Sequence, residues 1–186
     1  MLSVLGGAAV AAAAGLRAFQ PLFALGLASR FGLIQLAHGA SWMATDPALV
    51  CLGTATLLEI AGDKIPVVDH ALDFAGTIVR PVAAAFAAYG MLSGWSAPWA
   101  QIIALLLGSG AFALNMAKAK VRLGSSAVSL GTANPVLSVI EDVVSIGMLL
   151  VGLLAPLLVL VFVIATIWAW NRHSRRLRTA IAPREH

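Results

Sequence analysis

One cysteine, one tyrosine and very few charged residues set the first limits on this chain. A lone thiol, Cys51, excludes an intrachain disulfide and any Cys-x-x-Cys redox or metal motif, and it reads as a small apolar filler. Asp, Glu, Lys and Arg make up 11% of the 186 residues, where a soluble domain carries about 25%. The chain has no Walker loop, no His-Glu-x-x-His helix, no Cys/His cluster and no Gly-x-Ser-x-Gly elbow. Nucleotide-driven, zinc and serine-nucleophile chemistry therefore have no footing in it.

Apolar residues make up 60% of the chain, and its mean hydropathy is +0.93. Breaks at Gly, Pro and charge clusters divide it into six apolar stretches, near 2–30, 47–63, 70–92, 98–118, 135–153 and 155–171. A bilayer crossing takes about 20 apolar residues, so the expected fold is all-α, a polytopic transmembrane bundle of about six spans. It forms one domain over 1–171, followed by a basic tail, 172–186. The opening "LSVLGGAAVAAAAG" is like the apolar core of a signal peptide. It lacks a basic leader and resumes after Arg17, so it reads as a mature first helix.

The net charge of +4 is not a nucleic-acid signal. Arg172, Arg175, Arg176, Arg178 and Arg184 follow the last span as a cytoplasmic retention signal or an anionic-lipid contact. With both termini inside, Lys64, Lys118, Lys120 and Arg122 join them on the inner side, leaving Arg30 outside. Trp42, Trp95 and Trp99 fall at outer boundaries, and Trp168 and Trp170 at the inner one. Both signals favour the same topology.

The halves, about 1–92 and 98–171, echo each other. "GLRAF" at Gly15–Phe19 pairs with "GSGAF" at Gly108–Phe112, and "DPAL" at Asp46–Leu49 with "NPVL" at Asn134–Leu137. Three spans per half implies two inverted three-helix repeats, a construction common in secondary transporters. Shared helix-start chemistry, with Asp or Asn as cap and Pro in the first turn, explains the matches equally well.

Ionisable residues lie inside these spans: Arg17, Glu59, Asp63, Asp73, Arg80, Glu141 and Asp142. An unpaired charge at the bilayer centre costs at least about 2.5–3.5 kcal/mol, so these side chains are expected to face inward and pair. Glu59 and Asp63, four apart, share a helix face. Asp69, Asp73 and Arg80 share another, with His70 the one group titrating near neutral pH. Asp73, Glu59 and Glu141 are the candidate partners of Arg80, as a structural ion pair or as part of a clamp for an anion. Glu141 and Asp142 are adjacent and point to different faces, so each needs its own partner. Glu59 and Glu141 are the favoured functional pair. Pro21 denies an N–H to the carbonyl of Arg17, which implies either a discontinuous transporter helix or a simple kink. Gln20, Thr77 and Asn115 read as packing glue, and Lys118 and Arg122 as orientation determinants.

"GLRAFQPLFALGLASRFG", "LLEIAGDKIPVVDHALDFAGTIVRPVAAA" and "NPVLSVIEDVVSIG" together resemble domain-of-unknown-function family 4126, over nearly the whole chain up to the tail. The resemblance implies a compact integral membrane unit of bacterial type and assigns no reaction. "EIAGDK" at 59–64 is also similar to the Glu-x-Gly-Asp-Lys motif of a cation/proton antiporter family, with one extra residue after the Glu. "AGDK" lacks the first glycine of the Gly-x-Gly-Asp motif of intramembrane aspartyl proteases.

The function expected from the sequence is transport of an ion or small solute, cation- or proton-coupled. The binding residues are Glu59, Asp63, Asp73, Arg80, Glu141, Asp142, Arg17 and His70 near the midplane. The partners are the lipid bilayer, the small ion or solute and, as one open arrangement, a second copy in a homodimer. Neither enzymatic activity nor a cofactor is expected, and metal binding is left open. The alternative is a non-transporting membrane component that binds lipid or a partner protein, with its charges as structural ion pairs.

Overall fold

The computed structural model describes residues 1–129, 136–154 and 168, apart from the side chains at 66–67, 69–70, 122–123 and 126–129. Six α-helices are laid out in it: α1 (Leu2–Leu16), α2 (Phe19–Arg30), α3 (Asp46–Gly62), α4 (Pro66–Gly90), α5 (Ala97–Ser129) and α6 (Val136–Leu154). A 3-10 helix, His38–Ala44, precedes α3. No strand occurs among the described residues. Three helices are long and apolar enough to cross a membrane, over Ala71–Gly90, Ala97–Val121 and Val136–Leu154; the 3-10 helix and α3, bent by 71°, make up to a fourth.

Proline and glycine set the boundaries. Pro47 and Pro66 stand in the first turns of α3 and α4, where no N–H is needed. Alanine, the best helix former, fills α1. Its glycines allow backbones to touch: a Cβ on Gly6 would lie 2.9 Å from the Gly152 carbonyl oxygen, and one on Gly15 3.1 Å from that of Ala111. Such small-residue contacts replace the hydrophobic drive that lipid removes.

The first apolar stretch is not a span. Arg17 leaves the helix with φ −133° and ψ 112°, the chain reverses at Arg17–Ala18, and α2 returns towards the end from which α1 started. Trp95 Nε1 donates to Ser3 Oγ at 3.1 Å, so the start of α1 lies beside the α4–α5 connection. The Ala37 N–H donates to the Gly90 carbonyl at 3.0 Å, and Arg30 pairs with Asp46 at 2.7 Å, so the end of α2 lies there too. The expected single helix over 2–30 is thus a re-entrant hairpin. The physical reason is twofold: Pro21 leaves the Arg17 carbonyl without a helical donor, and Glu59 of α3 accepts from the Ala18 and Phe19 N–H groups that the reversal frees.

This corrects the expected topology in two ways. The chain breaks at Gly15–Phe19, whereas the matching Gly108–Phe112 lies inside an unbroken α5, so that echo in sequence is not an echo in structure. Ser3, Trp42, Trp95 and Arg30 gather at one end of the bundle, while Lys64 and Lys120 lie towards the other. The start of α1 is therefore opposite the basic end, and the two chain ends were expected to share it. The stretch expected over 155–171 and the tail lie outside the described residues, Trp168 apart. The other four stretches correspond to α3–α6, with α5 continuing past its expected end to Ser129.

Candidate functional site

The hairpin turn exposes two helix ends inside the bundle, and charged side chains meet both. At the N-terminus of α2, the cap residue Ala18 has no side-chain hydrogen bond of its own to offer. Glu59 reaches across from α3 instead: its Oε1 accepts from the Ala18 N–H at 2.8 Å and its Oε2 from the Phe19 N–H at 3.2 Å. A carboxylate there satisfies two orphan donors and complements the positive end of the helix dipole. At the C-terminus of α1, Lys118 Nζ donates to the Leu16 carbonyl at 3.3 Å, placing a cation at the negative end. Ser145 Oγ of α6 donates to the Ala13 carbonyl, also at 3.3 Å.

Arg17 stands in the turn, fully buried. Its Nη1 meets Asp63 Oδ2 at 2.5 Å and the Glu59 carbonyl at 3.3 Å. Its Nη2 meets Asp142 Oδ1 at 2.6 Å and Ser138 Oγ at 2.9 Å. One guanidinium therefore ties α3 and α6 to the hairpin, using the fork geometry of two separated amino groups. Lys64 lies 3.8 Å from the other oxygen of Asp142.

A second knot adjoins the first. Arg80 folds back along α4, and both of its terminal nitrogens lie 3.1 Å from Asp73 Oδ1; Nη1 also donates to Asn115 Oδ1 at 2.5 Å. Gly76 makes this fold-back possible, since a Cβ there would lie 2.8 Å from Arg80 Cζ. Lys118 joins the two knots: besides Leu16 it meets Glu141 at 2.9 Å and stands 3.8 Å from Asp73. Relative exposures are 0% for Arg17, 1% for Asp63, 2% for Arg80, 5% for Glu59 and 7% for Lys118. Breaking a buried pair of this kind typically costs about 3–5 kcal/mol, because the stranded charge has no water.

The structure thus brings Arg17, Glu59, Asp63, Asp73, Arg80, Glu141 and Asp142 into one buried polar centre. Asp73 is the ion-pair partner of Arg80, from the three candidates. Glu141 and Asp142 do point apart, one to Lys118 and the other to Arg17. Glu59 and Glu141, expected as a pair, have different anchors: two backbone N–H groups for Glu59, and Lys118 for Glu141. The side chains of His70 and Asp69 lie outside the described residues. Lys118 was read as an interfacial orientation residue and Asn115 as packing glue, yet both belong to the centre. Lys118 carried a legible signal: it is three residues past Asn115, so a helix places both on one face. Ser138 carried the same kind of signal, standing four residues before Asp142 on α6.

At about 1.5 Å per residue, Glu59, Arg17 and Lys118 lie roughly 20, 22 and 31 Å along α3, α1 and α5 from the tryptophan end, each nearer the other end of its helix. Among the described residues, no three His, Cys, Asp or Glu side chains are grouped to hold a metal ion.

These features define an all-helical, membrane-type bundle with a re-entrant hairpin and a buried charged centre. The chain belongs to the family described as Domain of unknown function (DUF4126), whose model matches residues 4–176. No curated protein and no solved structure matches it.

Proposed function

We propose that this protein is a small membrane permease for an ion or small solute, with Glu59 and Arg17 at the hairpin turn as its binding and coupling groups. The observation that carries the reading is the Glu59 carboxylate seated on the two N–H groups at the start of α2, beside Arg17. Non-helical backbone at membrane depth is tolerated where it is buried in protein or lines a watery cavity, and broken helices with exposed ends are a usual way to build transport sites.

In this mechanism Glu59 holds the hairpin closed while ionised. Protonation weakens its acceptance from Ala18 and Phe19 and loosens the start of α2. Glu59 and Asp63 carry the proton or bind the cation, and Arg17 counters their charge. The hairpin is the moving part, in place of one of two inverted triplets, and the basic end faces the cytoplasm of a bacterial inner membrane.

The test is ion flux into proteoliposomes, read with a pH-sensitive dye and with sodium and potassium tracers under a set potential. The wild-type chain is expected to conduct at least one of these above empty vesicles, and Glu59→Gln to lose that flux. Wild-type flux equal to empty vesicles for all three, or full flux in Glu59→Gln, overturns the reading. A second reading, a non-transporting scaffold, is favoured by Arg17 and Arg80 each being engaged by an acid. It predicts that the wild type and Glu59→Gln alike conduct none of the three ions while both keep the fold.

A further inference from the structure

A groove of about 750 Å³ runs between α4 and α5 on the outside of the bundle, away from the hairpin. Both flanking helices are among those long and apolar enough to cross a membrane. The floor is made of small residues where the helices touch: a Cβ on Gly108 would lie 2.8 Å from that of Ala85 and 2.9 Å from the Pro81 carbonyl oxygen. Val82 and Phe86 form one wall and Leu105 the other, all exposed at their rims.

The groove has a polar end and an apolar end. Tyr89 lines its mouth, one residue before the end of α4, and Gln101 lies opposite, in the second turn of α5. Both are near the tryptophan end. Gly39 of the 3-10 helix packs on the Tyr89 ring, with a Cβ there meeting it at 3.2 Å. Trp42 braces the Phe86 wall edge-on, centroids 6.3 Å apart. At the deep end are Pro81 and Ser109, whose hydroxyl is already given to the Leu106 carbonyl at 2.7 Å. From Tyr89 to Pro81, and from Gln101 to Ser109, is eight residues, or about 12 Å of helix. One leaflet of a bilayer core of about 30 Å is about 15 Å deep. The groove is therefore one leaflet long, hydrogen-bonding at the headgroup level and greasy below it. Its volume and its few polar groups are those of a specific small-molecule site, for which about 300–1,000 Å³ is usual.

We propose that this groove binds the acyl tails of one phospholipid from the leaflet at the tryptophan end, with its headgroup region held by Tyr89 and Gln101. This site is independent of the permease reading, because none of the buried charges lines it.

The test is native mass spectrometry of the full chain after extensive detergent washing, with phosphatidylglycerol or phosphatidylethanolamine added back. The wild type is expected to retain one phospholipid, and Val82→Trp and Ser109→Trp, which fill the groove from its exposed rim, to lose it. Leu105→Ala, which widens the groove without crowding it, is expected to keep the lipid. Glu59→Gln is also expected to keep it, which separates this site from the hairpin. Three outcomes overturn the proposal: no retained lipid in the wild type, equal retention in both tryptophan variants, or a second copy of the chain in place of lipid when the groove is free.

Discussion

Arg17 and Asp63 are 46 residues apart along the chain, yet their side chains meet at 2.5 Å with neither exposed. Arg17 also holds Asp142 at 2.6 Å, so the two substitutions differ in what they strand. Arg17→Met removes the shared guanidinium from two acids, whereas Asp63→Asn leaves Asp142 on Arg17. Arg17→Met is expected to destabilise by about 3–5 kcal/mol, the range for breaking a buried pair, and Asp63→Asn by clearly less. Unfolding in detergent micelles followed by circular dichroism ranks the two, and the reverse order would remove Arg17 from the hub of the centre.

Glu59 acts as a cap delivered from another helix. Glu59→Gln keeps one acceptor oxygen for the two backbone N–H groups, and Glu59→Ala keeps none. The expected loss is about 1–3 kcal/mol for Ala, the usual cost of unsatisfied buried donors, and less for Gln. Hydrogen exchange of the Ala18 and Phe19 amides checks the mechanism directly. Both are expected to exchange faster in Glu59→Ala, while amides in the middle of α5 keep their protection.

Gly76 is expected to tolerate no side chain. A methyl group there meets the Arg80 guanidinium at 2.8–3.0 Å, and Asp73 and Asn115 pin that group from the far side. Gly76→Ala gains helix propensity, worth roughly 1 kcal/mol at an unconstrained site. Here overpacking, typically about 1–3 kcal/mol, opposes and exceeds it. A lowered melting temperature is the expected result; a raised one would mean that Arg80 moves aside freely.

The hairpin makes a topological prediction. In a Cys51→Ala background, Ser3→Cys and Gly32→Cys are expected to react with a membrane-impermeant maleimide from one side of oriented vesicles, and Lys64→Cys from the other. A first helix that crossed the bilayer would instead put Ser3 and Gly32 on opposite sides.

The arrangement of charges was legible in the sequence because the cost of isolated charge in hydrocarbon leaves few alternatives. That argument placed seven ionisable residues inward and required separate partners for Glu141 and Asp142, without naming them. The four stretches from α3 to α6 were legible from Gly and Pro punctuation. The hairpin was not. A run of apolar residues long enough to cross reads as a span whether it continues or doubles back, and only the position of Pro21 hinted at the break. What decides between a kink and a reversal is Glu59, 40 residues further on, and no local pattern encodes a contact at that distance. Lys118 was misjudged for a related reason. Its neighbour Lys120 and nearby Arg122 made the segment look like a membrane edge, while the carbonyl left open at Leu16 drew Lys118 inward.

α5 is 33 residues long, or about 50 Å, against a hydrocarbon core of about 30 Å. It is clasped at Gly108 against α4, and its final 21 residues reach about 31 Å from that clasp. The helix therefore overhangs a single bilayer crossing by about 20 Å. The close contact at Gly108 fixes its direction against α4, and so fixes where that overhang emerges.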